Sequence, residues 1–113
     1  MRQNERMPRD AKTSAAPATW ADDAMKAFGM NRVRAEIIRY LAQRSTGTTS
    51  GQVARDLNAT YQTIFRHLRD LEDQGLVESD GADNRHGQRV VYRLNKQERD
   101  RALKNYAKYL NGE

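Results

Sequence analysis

Three polar side chains recur at helical spacing near the middle of this sequence. Gln62, Arg66 and Arg69 stand at positions i, i+4 and i+7, so a helix would place them on one face. A glutamine amide can pair with adenine, and an arginine guanidinium can bind guanine or a phosphate group. The same pattern also suits an ordinary solvated helix face. The elements around it must therefore decide whether these side chains contact nucleic acid.

The helix that would carry this face is predicted over Tyr61–Gln74, with Thr60 as its N-cap and Gly75 as its stop. Tyr61 and Phe65 lie beside the polar side chains. The opposite face has an apolar stripe at the same spacing, formed by Ile64, Leu68 and Leu71. The acids of this helix come only at its C-terminal end, namely Asp70, Glu72 and Asp73. This polarity favours entry into a major groove by the N-terminal turns.

The elements before and after this helix follow from the hydrophobic period, which changes from 3.6 to 2 after Gly75. Three more helices are predicted upstream, at Trp20–Phe28, Arg32–Gln43 and Ser50–Leu57. Downstream, the sequence predicts strands at Leu76–Ser79 and Gln88–Leu94 and a last helix that opens at Asn95 and ends near Leu110. The predicted fold is mostly α with a small β-hairpin, in the order α-α-α-α-β-β-α. This is the layout of a winged helix-turn-helix.

Cap residues support these boundaries. Thr19 and Asn31 are expected to cap the first two helices. Thr49 with Gln52, and Asn95 with Glu98, have the spacing of capping boxes.

Several side chains outside the polar face are candidates for DNA contact. Thr49, Ser50 and Thr60 stand at helix starts, where free amides can hold phosphate groups. Arg85 and His86 occupy the predicted hairpin tip, and Arg89 begins the return strand. A basic tip of this kind can enter the minor groove or lie along the phosphates, although the same loop also carries Asp80 and Asp83.

Apolar stripes also mark the two outer helices. These stripes consist of Trp20, Met25 and Phe28 in the first helix and Leu103, Tyr106 and Leu110 in the last. They could pack on their own domain, or they could form a two-fold dimer interface that pairs two groove-reading helices. Of these two arrangements we expect the dimer.

Composition restricts the other functions that this chain could have. The 113 residues contain no cysteine and no apolar run of the length that a membrane span needs. No nucleophile–base motif or glycine-rich phosphate loop is present, and the two histidines have no ligand set beside them. We therefore expect no enzymatic activity, no metal and no cofactor. Met1–Asp10 lacks the apolar core of a secretory signal, and a cytoplasmic location is expected.

The net charge and the N-terminal composition bear on the partner and on the extent of the domain. Twenty Lys and Arg against 15 Asp and Glu give a net charge of +5, which modestly favours a polyanionic partner. Residues 1–19 hold both prolines and few large apolar side chains, so a disordered arm is expected there. Residues 20–110 are expected to form the domain.

The run from Thr49 to Val77 resembles winged helix-turn-helix repressors of the ArsR and MarR type. The segments TIFRHLRDLEDQGLV and GQRVVYRL resemble the ArsR-like group most closely. The resemblance covers about residues 31–94 and implies a prokaryotic, phage or plasmid transcriptional regulator, usually a homodimer through its terminal helices. It places base reading on Tyr61, Gln62, Phe65 and Arg66. The thiolates and His/Asp clusters of the metal sensors in that group are missing from this chain.

Together these observations predict a dimeric, sequence-specific protein that binds double-stranded DNA. Gln62 and Arg66 would read bases, supported by Tyr61 and Thr63. Phosphate contacts would come from Thr49, Ser50, Thr60 and Arg69, and the wing would be anchored by Arg85 and Arg89. The alternatives are a winged helix used for protein contact, a monomeric plasmid, phage or chromosome-architecture factor, and a repressor that senses an effector.

Overall fold

Five helices and three short strands form the part of the chain that this computed structural model describes, residues 18–81 and 89–113. In chain order they are α1 (Thr19–Ala27), α2 (Arg32–Ala42), β1 (Thr48–Thr49), α3 (Ser50–Leu57), α4 (Tyr61–Asp73), β2 (Val77–Ser79), β3 (Val91–Leu94) and α5 (Lys96–Leu110). All five predicted helices are present, and their ends agree with the sequence-based boundaries within one or two residues.

The core lies between α2, α3, α4 and the sheet. Ile37, Val53, Ile64 and Leu68 have no exposed surface at all. The remaining fully buried large side chains are Tyr40, Leu41, Leu71, Val77 and Tyr92. The apolar stripe predicted for α4 is thus confirmed as the face that packs inward. This packing fixes the rotation of α4 and turns its polar face outward.

The sheet has three strands rather than the two of the predicted hairpin. Its order is β1-β3-β2 with antiparallel pairing, and Tyr92 of β3 lies between Thr48 of β1 and Ser79 of β2. The sequence predicts no strand at Thr48–Thr49, because two residues are too short to show a period. The close approach of the chain before β1 to β3 depends on Gly47 (φ +93°), where a Cβ would lie 2.5 Å from the Val91 side chain.

Side-chain caps open four of the five helices. Asn31, Thr49, Thr60 and Asn95 each accept a hydrogen bond from a backbone amide in the first turn of α2, α3, α4 and α5, respectively. The cap predicted at Thr19 is wrong, because α1 already begins at Thr19 and follows Ala18, which makes no side-chain cap bond.

Asn95 caps α5 with one hydrogen bond and ties it to β2 and to the residue before β2 with two others. Its Oδ1 accepts from the Glu98 amide at 3.0 Å and its Nδ2 donates to Glu78 Oε2 at 3.0 Å. Its backbone amide donates to the Leu76 carbonyl at 2.8 Å. The start of α5 is therefore fixed to β2 and to the segment before it.

Helices α1 and α5 bury none of their residues. Trp20 is 75% exposed and Leu103 61% exposed. Phe28 and Tyr106, which are also exposed, make an edge-to-face contact with ring centroids 6.0 Å apart. The two terminal helices thus touch through their apolar stripes without enclosing them. Within the described residues, no helix is long and apolar enough to cross a membrane.

These elements form a winged helix-turn-helix, as the sequence predicts. Helices α3 and α4 are the helix-turn-helix pair, joined by a turn in which Asn58 adopts a left-handed conformation (φ 55°). Strands β2 and β3 form the base of the wing. The predicted arm at residues 1–19 lies outside the described residues except for its last two positions, and so does the wing tip at residues 82–88.

Candidate nucleic-acid interface

The outer face of α4 is exposed along its length. Gln62, Arg66 and Arg69 all lie at the surface, as the helical spacing predicts. Neither Arg66 nor Arg69 forms an ion pair with any described residue. The two guanidinium groups are therefore available to a negatively charged partner.

A stack of side chains runs beside this polar face. Tyr61 is 51% exposed and lies parallel to the half-buried Phe65, with ring centroids 5.7 Å apart and an interplanar angle of 16°. The guanidinium of Arg69 lies 5.9 Å from the centre of the Phe65 ring. Phe65 is therefore neither fully tucked into the core nor fully presented to solvent. It supports Tyr61 on one side and Arg69 on the other.

The first turn of α4 is held by two threonines. Thr60 Oγ1 accepts from the Thr63 amide at 3.3 Å and donates to Thr63 Oγ1 at 2.9 Å. Thr60 is exposed and Thr63 half-buried. The position of both side chains follows from these capping bonds.

A depression of about 470 Å³ lies between the start of α3, the start of α4 and the base of the wing. Several sequence-predicted site residues come together in its lining: Thr49, Ser50, Tyr61, Phe65 and Arg89. Gln62, Arg66 and Arg69 are not part of this lining and lie along α4 instead. The predicted site is thus one depression together with the helix face beside it.

Arg55, which is not among the sequence-predicted site residues, also belongs to this surface. It is exposed on α3, lines the depression and donates from Nη2 to Gln52 Oε1 at 2.7 Å. The capping box predicted for Gln52 is wrong in its second half. The Gln52 side chain turns to Asp56 and Arg55, while Thr49 caps the helix by accepting from the Gln52 amide. The sequence does contain a signal for the bond between Gln52 and Arg55, because side chains at i and i+3 are neighbours on a helix.

Two of the three acids at the C-terminal end of α4 have partners on neighbouring elements. Asp70 accepts from Arg34 of α2 at 2.9 Å, and Glu72 accepts from Ser79 of β2 at 2.6 Å. These contacts hold negative charge at the end of α4 that is remote from Gln62. The helix therefore keeps the polarity that the sequence predicts.

His67 packs between α4 and α2, as expected for a structural histidine. It is 8% exposed, and its Nδ1 accepts from Arg34 Nε at 3.1 Å. Burial lowers the pKa of His67 below its ordinary value of 6.5, and the charges of Arg34 and Arg66 lower it further against the opposing effect of Asp70. The neutral imidazole is the form that accepts this bond.

The wing can be followed only at its base. Arg89 is exposed and precedes β3. The predicted contacts of Arg85 and His86 fall in 82–88, outside the described residues. Among the described residues, no three His, Cys, Asp or Glu side chains come together as metal ligands.

Comparisons with known proteins bear on this fold. A family model described as a helix-turn-helix domain matches residues 30–80. Among curated protein sequences, none matches this chain.

Solved structures extend the likeness over most of the chain. A possible transcriptional regulator from Methanosarcina mazei is 14% identical, with a TM-score of 0.57 over 84% of this chain and 85% of that one. MepR from S. aureus, solved as a complex with DNA, is 22% identical, with a TM-score of 0.52 over 81% and 87%. ZitR from Lactococcus lactis in complex with DNA is 16% identical, with a TM-score of 0.50 over 83% and 80%.

At these identities the comparisons establish the fold. ZitR is described as a zinc-responsive MarR family member. The closer resemblance to the ArsR-like group, expected from the sequence, is not confirmed and stays a prediction.

Proposed function

We propose that this protein binds double-stranded DNA in a sequence-specific manner and acts as a dimeric transcriptional regulator. The observation that carries the proposal is the outer face of α4, where Gln62, Arg66 and Arg69 are exposed. An α-helix fits the major groove, and these side chains can bind base edges and phosphates. The similar structures of MepR and ZitR, both solved with DNA, support the same use of the fold.

The proposed roles follow from position on this surface. Gln62 and Arg66 read bases, with Tyr61 and Thr63 beside them, and Phe65 adds apolar surface that a thymine methyl group can contact. Phosphates are held by Thr49, Ser50, Thr60 and Arg69. Arg85, His86 and Arg89 of the wing contact the backbone or the minor groove.

Dimerisation is the second part of the proposal. Its support is the apolar surface of α1 and α5, where Met25 is half-buried and five large side chains are exposed, namely Trp20, Phe28, Leu103, Tyr106 and Leu110. Apolar surface of this kind commonly marks a protein interface. A two-fold dimer would present two α4 helices to adjacent half-sites on one duplex. Repression is proposed as the regulatory role.

Selection of bound duplexes from a random pool, followed by titration of the selected site, tests the proposal. The logarithm of the affinity is expected to fall linearly with the logarithm of the salt concentration, because the protein neutralises several phosphates. Arg66→Ala is expected to cost about 1–3 kcal/mol on the selected site and less on unrelated duplex. Arg39→Ala, which removes an exposed arginine of α2 outside the depression, serves as the charge-matched control.

Two results would contradict the proposal. Equal losses on selected and unrelated duplex would show that Arg66 does not read bases. If no duplex is bound even at low salt, the winged helix must serve another purpose, and a protein-contact module becomes the better interpretation. A protein interface with an apolar centre would also lack the steep salt dependence.

A further inference from the structure

A chain of side-chain hydrogen bonds runs from the core to the depression and ends at Arg55. The guanidinium of Arg55 folds back over the first turn of α3, where its Nη1 lies 3.7 Å from the position a Cβ on Gly51 would occupy. Its Nη2 donates to Gln52 Oε1 at 2.7 Å. The cation is thus held next to Ser50 and Gly51, which line the same depression.

The orientation of the Gln52 amide is determined by its two partners. Gln52 Nε2 donates to Asp56 Oδ2 at 3.0 Å. An ionised carboxylate only accepts hydrogen bonds and a guanidinium only donates them. The amide must therefore direct its NH₂ group to Asp56 and its carbonyl oxygen to Arg55. The reverse orientation would break both bonds.

Asp56 is itself anchored to the core. The hydroxyl of Tyr40, whose side chain is 1% exposed, donates to Asp56 Oδ2 at 2.5 Å. Arg44 lies with its guanidinium 3.4 Å from the centre of the Tyr40 ring and 4.0 Å from the same carboxylate oxygen. Burial raises the pKa of Tyr40, and the hydrogen bond to Asp56 raises it further, so the phenol remains a donor at neutral pH.

From this arrangement we propose that Arg55 is an additional phosphate-binding side chain and that Gln52 is its positioning residue. Gln52 transmits the fixed position of Asp56 to the Arg55 guanidinium, which then faces the depression before any partner arrives. A long, flexible side chain that is already ordered loses less freedom on binding. The inference rests on the proposed DNA binding and adds to it a preorganised cation on α3.

A double-mutant cycle on duplex affinity tests this coupling. Arg55→Ala is expected to reduce the slope of log affinity against log salt by about one phosphate contact. Gln52→Met, which keeps the length of the side chain without its amide, is expected to lower affinity about 2- to 10-fold and to leave the slope unchanged. In the Arg55→Ala background, Gln52→Met is expected to have no further effect, because Gln52 acts only through Arg55.

Three controls keep the test decisive. If Gln52→Met folds poorly, Gln52→Ala takes its place in the cycle and should show the same coupling, and circular dichroism gives the folded fraction of each protein. Arg39→Ala removes the same charge away from the depression and should leave the Gln52→Met effect intact. The wild-type protein, titrated at low salt, tests the proposed DNA binding itself.

The outcomes separate the two proposals. A wild-type protein that binds no duplex would overturn the proposed function. A wild-type protein that binds, with the Gln52→Met loss equal in both Arg55 backgrounds, would overturn only the positioning role of Gln52. An unchanged salt slope in Arg55→Ala would remove Arg55 from the phosphate-binding surface.

Discussion

Helices α2, α3 and α4 differ from α1 and α5 in what covers their apolar stripes. In the first group the stripes are enclosed by the sheet and by one another, and Ile37, Val53 and Ile64 are fully buried. In the second group no residue is buried, although the residue types and the spacing are similar. An amphipathic pattern therefore shows that a helix has an apolar face. Only the fold shows whether other parts of the same chain bury that face.

The largest expected effect is a difference in unfolding free energy between a substitution in the core helices and one in α5. Leu68→Ala is expected to reduce the free energy of unfolding by about 2–5 kcal/mol, because it leaves a cavity at a side chain with no exposed surface. Leu103→Ala, at a side chain that is 61% exposed, should change it by less than about 0.5 kcal/mol when the protein is dilute. Denaturant unfolding over a range of protein concentrations measures both. Similar losses at low concentration would mean that α5 packs on its own chain.

A second prediction asks whether another copy covers the terminal helices. Leu103→Lys is expected to raise the dissociation constant of the proposed dimer at least about tenfold, since a charge would enter its apolar interface. Sedimentation equilibrium measures this constant. Lys104→Gln on the same exposed helix is the control and should leave the dimer intact. A wild-type protein that remains monomeric at micromolar concentration would contradict the paired half-site arrangement.

Helix caps offer a third test of the same contrast. Thr60 accepts a first-turn amide of α4, so Thr60→Ala is expected to cost about 1 kcal/mol of unfolding free energy. Thr19 provides no such cap to α1, and Thr19→Ala should have almost no effect. Thermal unfolding of the two variants compares them under identical conditions. A comparable loss at Thr19 would indicate a contact that the helix start does not show.

The smallest predicted effect concerns pH and the packing of α4 on α2. Because the folded state lowers the pKa of His67 below 6.5, the unfolded chain binds more protons below that pH. The stability contributed by neutral His67 is therefore present above pH 6.5 and lost as pH falls through the lowered folded pKa. The slope cannot exceed about 1.4 kcal/mol per pH unit for one proton.

His67→Gln isolates this contribution, because glutamine does not titrate and can still accept from Arg34. The wild type should lose more stability than this variant between neutral pH and pH 5, as measured by denaturant unfolding. Parallel pH profiles for the two proteins would show that His67 does not contribute. Arg34 of α2 and Arg66 and Asp70 of α4 are the charged groups that affect this histidine.

Local chemistry explains which parts of the fold could be predicted from the sequence. Asn31, Thr60 and Gly75 act within one turn of their own position, and they mark the observed ends of α2 and α4. Strand β1 was missed because its two residues are defined by pairing with β3, more than 40 positions away in the chain. A two-residue strand has no periodicity from which it could be predicted.

The candidate site shows the same division. The exposed face of α4 follows from its spacing, because the buried stripe with Leu68 fixes the opposite side. The depression and Arg55 could not be predicted in this way, since they depend on how α3, α4 and the base of the wing meet. Gln52 was assigned to a capping box from local spacing. Asp56, which Tyr40 holds in place, competes successfully for its side chain.

The hydrogen bonds of Asn95 fix α5 at its N-terminal end, so that the helix can act as a lever about that point. Asn95, which precedes its first turn, is bound to Glu78 and Leu76, whereas α5 itself has no buried residue and touches α1 through Tyr106 and Phe28. Fifteen residues of helix extend roughly 22 Å from that pivot. A tilt of about 10° there would carry the far end through about 4 Å, by the same helix geometry. The joint at Asn95 consequently sets how far the far end of α5 can move relative to β2.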